Sequence, residues 1–245
     1  MKTKSFLSVL ATALLLASTI VQAGGPYPPP PQPPDNSFSG RAFVVKAKVP
    51  PLLNTTIVDT GQLPDVGGVR EENAVDLNIP GLLTAQVLHA KTTGGQTLNG
   101  TPNPNVAESE AEVLGLDLSV LGIGITADVI RAMSHAESTA KTKSECAKPK
   151  LVLSGDSEIA NLVVAGVPIV VAPNSTTTLN VGLLSVKVVT DEQIKQAFVT
   201  NGQPGAEITT NAVHITIKSL LGVVADVIIS SAHSDIICGL KPSDP

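Results

Sequence analysis

Apolar and polar residues alternate with a period of two over most of this chain, and convincing helical periodicity is scarce. Successive side chains of a strand point to opposite faces, so the alternation predicts strands with one covered and one wet face. Residues 41–49, 74–79 and 82–92 read as strands, the last two divided by Pro80-Gly81. Residues 50–68 read as loop-rich, and residues 91–104, rich in Gly, Asn, Thr and Pro, as a polar loop. Glu108, Glu110 and Glu112 share the parity that Leu114, Leu116 and Leu118 continue, so that face passes from solvent to core along one strand, with Gly115 marking a bend or bulge. The three carboxylates read as a solvated strand end, because calcium ligands are usually drawn from a curved, Gly-containing loop. Short strands follow at 158–164, 167–171, 176–181 and 184–189. Residues 191–198 fit either a helical turn or two or a continued strand, and 208–218 and 221–237 close the fold.

One element is written more than once. The stretch from Gly122 to Glu137 returns from Gly222 to Asp235: setting Ala127-Asp-Val-Ile on Ala225-Asp-Val-Ile gives an offset of 225 − 127 = 98, which places His135 on His233. Thr84-Ala-Gln-Val-Leu-His-Ala90 is a shorter third echo. In the first copy, alternation sorts Ile123, Ile125, Ala127, Val129 and Met133 onto one face and Ala132, Ser134, Ala136, Ser138 and Ala140 onto the other. Ser230, Ala232 and Ser234 form the corresponding small set in the second copy, and such small residues admit the close approach of another sheet. These patterns predict an all-β fold, an antiparallel β-sandwich or barrel-like structure with internally repeated long strands. It forms a single domain over residues 38–240 with two related halves.

The ends carry a different message. Lys2 and Lys4, the apolar run 6–21 and the small residues of Val21-Gln-Ala23 describe residues 1–23 as a signal peptide cleaved between Ala23 and Gly24. Residues 24–37 are a proline-rich spacer of extended polyproline character, and 241–245 a short tail. No later run approaches the roughly 18 apolar residues of a spanning helix, so no transmembrane anchor is expected after cleavage. The expected location is secreted, extracellular or cell-surface, with the periplasm as a further option. The mature chain has 16 − 2 = 14 basic residues against 21 acidic ones. That balance argues against nucleic acid as a partner. Aromatic residues are only 2% of the chain and Trp is absent, which removes the stacking platforms used for single strands and many sugars. Long strands leave edges that must be paired or protected, so weak self-association, extending to a fibre-forming subunit, is the expected mode of contact with other copies.

Candidate chemistry is sparse. Cys146 and Cys238 follow the two long copies in a chain bound for an oxidising compartment, and two cysteines allow one intramolecular bridge, across 238 − 146 = 92 residues. His135 with Glu137 and His233 with Asp235 repeat a His-x-acid pair that shares a strand face. A metal site or an envelope hydrolase would use these four residues together with further ligands or a nucleophile. A duplicated scaffold explains the repetition without chemistry, so no catalytic residue, metal or cofactor is assigned. Ser138-Thr-Ala-Lys141 has the Ser-x-x-Lys form of serine acyl-enzymes but lacks the Ser-Asp-Asn and Lys-Thr-Gly partners.

Three stretches resemble a bacterial family, choice-of-anchor P: Ala127 to Glu137 with a following Cys; Val167-Pro-Ile-Val-Val-Ala-Pro-Asn-Ser-Thr-Thr-Thr-Leu179 leading to Val188-Val-Thr-Asp-Glu-Gln193; and Asn211-Ala-Val-His-Ile-Thr-Ile217 leading to Ala232-His-Ser-Asp-Ile-Ile-Cys238. The resemblance spans most of residues 38–238. It implies an exported surface protein whose common body is joined to varying C-terminal sorting signals, with no established activity. The chain departs from that plan after Cys238, where no sorting motif, apolar tail or basic end follows.

Overall fold

The structure, a computed structural model, describes residues 35–240. The expected signal peptide with its Ala23–Gly24 junction, the expected spacer up to residue 34 and the tail 241–245 lie outside the described residues. Thirteen strands follow one another: β1 (Ser37–Val49), β2 (Leu53–Asp59), β3 (Gly68–Ile79), β4 (Leu83–Gln96), β5 (Pro102–Val120), β6 (Ile123–Ser138), β7 (Leu151–Ala160), β8 (Val163–Val164), β9 (Val167–Pro168), β10 (Ser175–Val181), β11 (Leu184–Thr200), β12 (Gln203–Ser219) and β13 (Gly222–Ile237). A single turn of 3-10 helix, Glu145–Ala147, is the only helical piece among the described residues, and no helix there is long and apolar enough to cross a membrane.

The strands form two antiparallel sheets packed as a sandwich. One has the order β10-β11-β12-β13-β1-β2; the other runs β3-β4-β5-β6-β8-β9, with β7 also pairing β6. The first sheet is four consecutive strands completed by two from the other end of the chain, so β1 lies beside β13 with Ser37 opposite Ile237, whereas the second is built from the consecutive strands β3 to β9. The two copies of the repeated element, β6 and β13, face each other across the interior and run in the same direction. Ser230 Oγ donates to the Ile130 carbonyl (2.8 Å), Ser134 and Ser234 share a hydroxyl bond (2.8 Å), and Ser138 Oγ donates to Cys238 Sγ (3.2 Å).

The face that each strand buries changes partway along it. In β13 the buried side chains are Ala225, Val227 and Ile229, then Ala232, Ser234 and Ile236; in β6 they are Ile123, Ile125 and Ala127, then Ile130, Ala132 and Ser134. The sorting of β6 into one apolar and one small face is therefore corrected: both sets contribute to the interior, on either side of Asp128. The inversion points align into a crease across each sheet, at Asp191, Ala212, Ser230, Val44 and Val58 in one and at Asp76, Gln86, Gly115 and Asp128 in the other. Every second strand makes the turn with a left-handed residue: Asp191 (φ 49°), Ser230 (53°), Val58 (50°), Asp76 (49°) and Gly115 (62°). One residue off the β region reverses the pleat and exchanges the two faces.

The crease divides the interior in two. Toward the β5–β6 and β12–β13 turns, Ile125, Ile130, Ile215, Ile217, Val227 and Ile229 pack in the main apolar core. Each such side chain contributes about 1.5–3 kcal/mol by leaving water. Beyond the crease the sheets approach closely over small and hydroxylated residues: Thr92 and Ser109 share a bond (2.7 Å), and Ser109 reaches the His233 carbonyl (2.6 Å). A Cβ added to Gly40 of β1 would lie 2.3 Å from Thr92 Oγ1 of β4. Phe38, Leu63, Ala107, Ala136 and Ile236 then form a second, smaller apolar cluster.

Two further expectations are corrected, and one open choice is resolved. Residues 93–96 and 102–104 belong to strands, not to a polar loop, because Thr92 and Gly94 face this polar interior, where small residues rather than large apolar ones are needed. Residues 53–59 form β2, whose polar alternation suits an outermost strand. Between the two options for 191–198, the chain continues as β11. The small-residue faces, read as admitting the close approach of another sheet, are buried against each other inside the sandwich.

Candidate functional site

Cys146 and Cys238 are bonded, with an S–S distance of 2.02 Å. Cys146 sits in the 3-10 turn between β6 and β7, and Cys238 directly follows β13; both are buried with Ala140. The bridge ties the end of the last strand to the connection leaving its repeated counterpart.

The four histidines lie on the two outer faces, so the pairs His135/Glu137 and His233/Asp235 stand on opposite sides of the sandwich and do not converge. On the face of β4, β5 and β6, His135 Nδ1 is 2.9 Å from Glu108 Oε1 and its Nε2 is 3.4 Å from Glu137. The cross-strand register causes this, because His135 stands directly opposite Glu108. Hydrogen bonding to Glu108, outweighing burial, raises the imidazole above its usual range, and Glu137 adds to the effect. Glu108 is lowered by the same bond and by the Leu98 backbone N–H, which donates to Oε2 at 2.7 Å. These groups line a shallow cleft of about 300 Å³ with Leu98, Met133 and Ser154.

His89 shares that face. It lies opposite Glu112, 3.4 Å from Glu71, and its ring nitrogen, Glu110 and Glu112 bring ligand atoms within 4.8 Å of one another. Glu110 is already engaged by Arg131 Nε at 2.8 Å, which raises the arginine. The acidic run is therefore a paired, half-covered face rather than a freely solvated one.

On the other face, His233 Nδ1 meets Thr209 Oγ1 at 3.0 Å and its Nε2 lies 3.5 Å from Asp235. Glu207 stands directly opposite Asp235, and the ligand atoms of Glu207, His233 and Asp235 fall within 4.8 Å. A hydroxyl, an imidazole and a carboxylate in sequence have the composition of a nucleophilic triad. Here both strands are internal to the sheet, so their backbone N–H groups are committed to the ladder and supply no oxyanion donors at this spot.

A further network was not read from the sequence. His214 bridges Glu192 (3.0 Å) and Asp226 (2.9 Å); Asn211 donates to Glu192 (2.8 Å), and Ser231 donates to Asn211 (2.7 Å). Its members come from three strands and meet through register alone. The one sequence signal was Asp226, which the repeat places on Asp128. No family model, curated protein or solved structure matches the chain.

Proposed function

We propose that this chain is an exported, disulfide-closed β-sandwich acting as an extracellular or surface-associated structural and interaction module. The observation that carries the reading is the buried Cys146–Cys238 bond, a cross-link kept in oxidising compartments. The signal-like residues 1–23 and the resemblance to choice-of-anchor P support it. The small-residue faces are spent inside, so weak self-association falls to the outermost strands β2, β10, β3, β7 and β9, and sedimentation of the exported chain at high concentration tests it. Expression of the full chain in a bacterium tests export. The expected product begins at Gly24, leaves the cytoplasm and has no alkylatable thiol by non-reducing mass spectrometry. An uncleaved cytoplasmic chain with two free thiols would sink the reading.

A second reading is favoured by one arrangement: Glu207 and Asp235 are like charges directly opposed across strands, a destabilising placement that a divalent cation beside His233 would relieve. Calorimetric titration with zinc, compared between the wild type and His233→Gln, tests it. Identical profiles for the two proteins remove the reading.

A further inference from the structure

The hairpin turns β1–β2, β10–β11 and β12–β13 close the same end of one sheet, since Val49 pairs Leu53, Val181 pairs Leu184 and Ser219 pairs Gly222 in one continuous register. These turns carry four of the five most exposed large apolar residues among those described, Leu52 (78%), Leu183 (85%), Leu220 (93%) and Leu221 (99%); the fifth, Val170 (79%), lies on the loop after β9. The turns are two strands apart, so the leucines are spaced by about 10 Å along the rim. They stand on three separate turns, Leu220 and Leu221 together on one of them.

Directly behind this rim the outer face of the same sheet is basic. Between the crease and the turns, Lys46, Lys48, Lys187 and Lys218 are all exposed and point outward, and Asp226 is the one acidic residue there. Four lysines against one aspartate leave a local balance of +3 on a chain whose total is −5. Asp226 is bonded to His214 and stands opposite Lys48 across the strands, and among the described residues none of the four lysines has a carboxylate within 4.0 Å. The corresponding half of the other sheet reverses the sign, with Asp76, Asp117 and Asp128 and no Lys or Arg.

We propose that this end of the β10-to-β2 sheet is a docking surface for an anionic phospholipid bilayer, the leucine tips entering the acyl boundary while the lysines meet the headgroups. The inference rests on the reading of the chain as an exported interaction module. Aliphatic side chains at separate turns need no shaped socket in a fluid hydrocarbon, whereas a protein partner would have to offer one for each. The lysines supply charge complementarity and long stems that reach the headgroup level from just behind the tips. The aspartate-bearing sheet is repelled by the same surface, which fixes which side leans on it.

Co-sedimentation of the mature exported protein with phosphatidylglycerol–phosphatidylcholine vesicles and with phosphatidylcholine vesicles tests this. Binding to the anionic vesicles is expected, weakening with added salt. It falls more than tenfold in Leu220→Ser/Leu221→Ser, whose turn is too exposed to affect folding, and by a similar factor in Lys187→Glu/Lys218→Glu; thermal melts verify both folds. Absence of binding, equal binding to neutral vesicles, or binding unchanged by either variant overturns it. Dimers that dissolve in the leucine variant, without vesicle binding, would assign the surface to a second copy instead. A chain that is exported with its disulfide closed yet ignores vesicles refutes this inference and leaves the export reading standing.

Discussion

Replacing Gly40 by alanine tests how closely the two sheets approach beyond the crease. The glycine adopts an ordinary strand conformation, so alanine carries no backbone penalty and its effect is purely one of space. The new methyl would lie 2.3 Å from Thr92 Oγ1, 3.2 Å from Ser109 Oγ and 3.3 Å from the His233 carbonyl. Thr92 is fully buried, β-branched and bonded to Ser109 at 2.7 Å, so it has no free rotamer into which to retreat. Overpacking of this kind costs about 1–3 kcal/mol. Losing the hydroxyl bond adds about 1 kcal/mol. The expected destabilisation is therefore about 2–4 kcal/mol, a large share of a typical total of roughly 5–15 kcal/mol. Urea unfolding of Gly40→Ala, Thr92→Ala and the double variant gives the coupling directly. Thr92→Ala removes the obstructing oxygen, so the double variant should be more stable than the sum of the single effects by at least about 1 kcal/mol. A Gly40→Ala protein within about 0.5 kcal/mol of wild type, or additive effects, would refute the close approach.

Reducing the Cys146–Cys238 bond, or replacing both cysteines by alanine, releases a loop of 92 residues. It should cost about 4–5 kcal/mol on the chain-entropy account, read as a shift in the urea midpoint. Gly115→Ala should cost about 1–2 kcal/mol, because alanine must hold φ 62° and its methyl would meet the Gln86 side chain at 2.7 Å. His135 is raised from 6.5, so its stabilising contribution is complete below about pH 6.5 and is lost as pH rises through the folded value. Glu108 is lowered from 4.5, so its share is present above about pH 4.5 and is lost as pH falls through its folded value. The stability difference between wild type and His135→Gln should therefore be greatest near pH 5.5 and shrink toward pH 9. An NMR titration midpoint for His135 at or below 6.5 would contradict this.

The strand class of most elements was legible because the period-two pattern survives within each segment. The crease was only half legible. Gly115 announced itself as a glycine inside an alternating run, but Asp191 and Ser230 make the same inversion without one, and Ala212 and Val44 lie on the line only through their neighbours' register. That is why Val129 and Met133 were grouped with Ile123 while the structure changes faces between them. Gly94, beside Thr92 at the end of the strand read from 82 to 92, fell in the expected loop because hydrophobicity does not mark a buried layer built on hydroxyl bonds and close approach. The cysteine bridge followed from counting, whereas the surroundings of His135, His214 and His233 depend on which residue of another strand stands opposite.

Placing β1 between β13 and β2 has a consequence for the order of events during biogenesis. A chain emerging N-terminus first presents β1 and β2 long before their neighbour exists, because the partner of Ser37 is Ile237. Such distant pairings fold slowly, since loop closure must precede any gain from contact. On the export reading proposed above, in which the chain crosses a membrane as an open thread, this wiring would postpone closure of the first sheet until nearly all of the chain has passed, the final strand then completing that sheet and bringing its terminal cysteine to the thiol beyond β6.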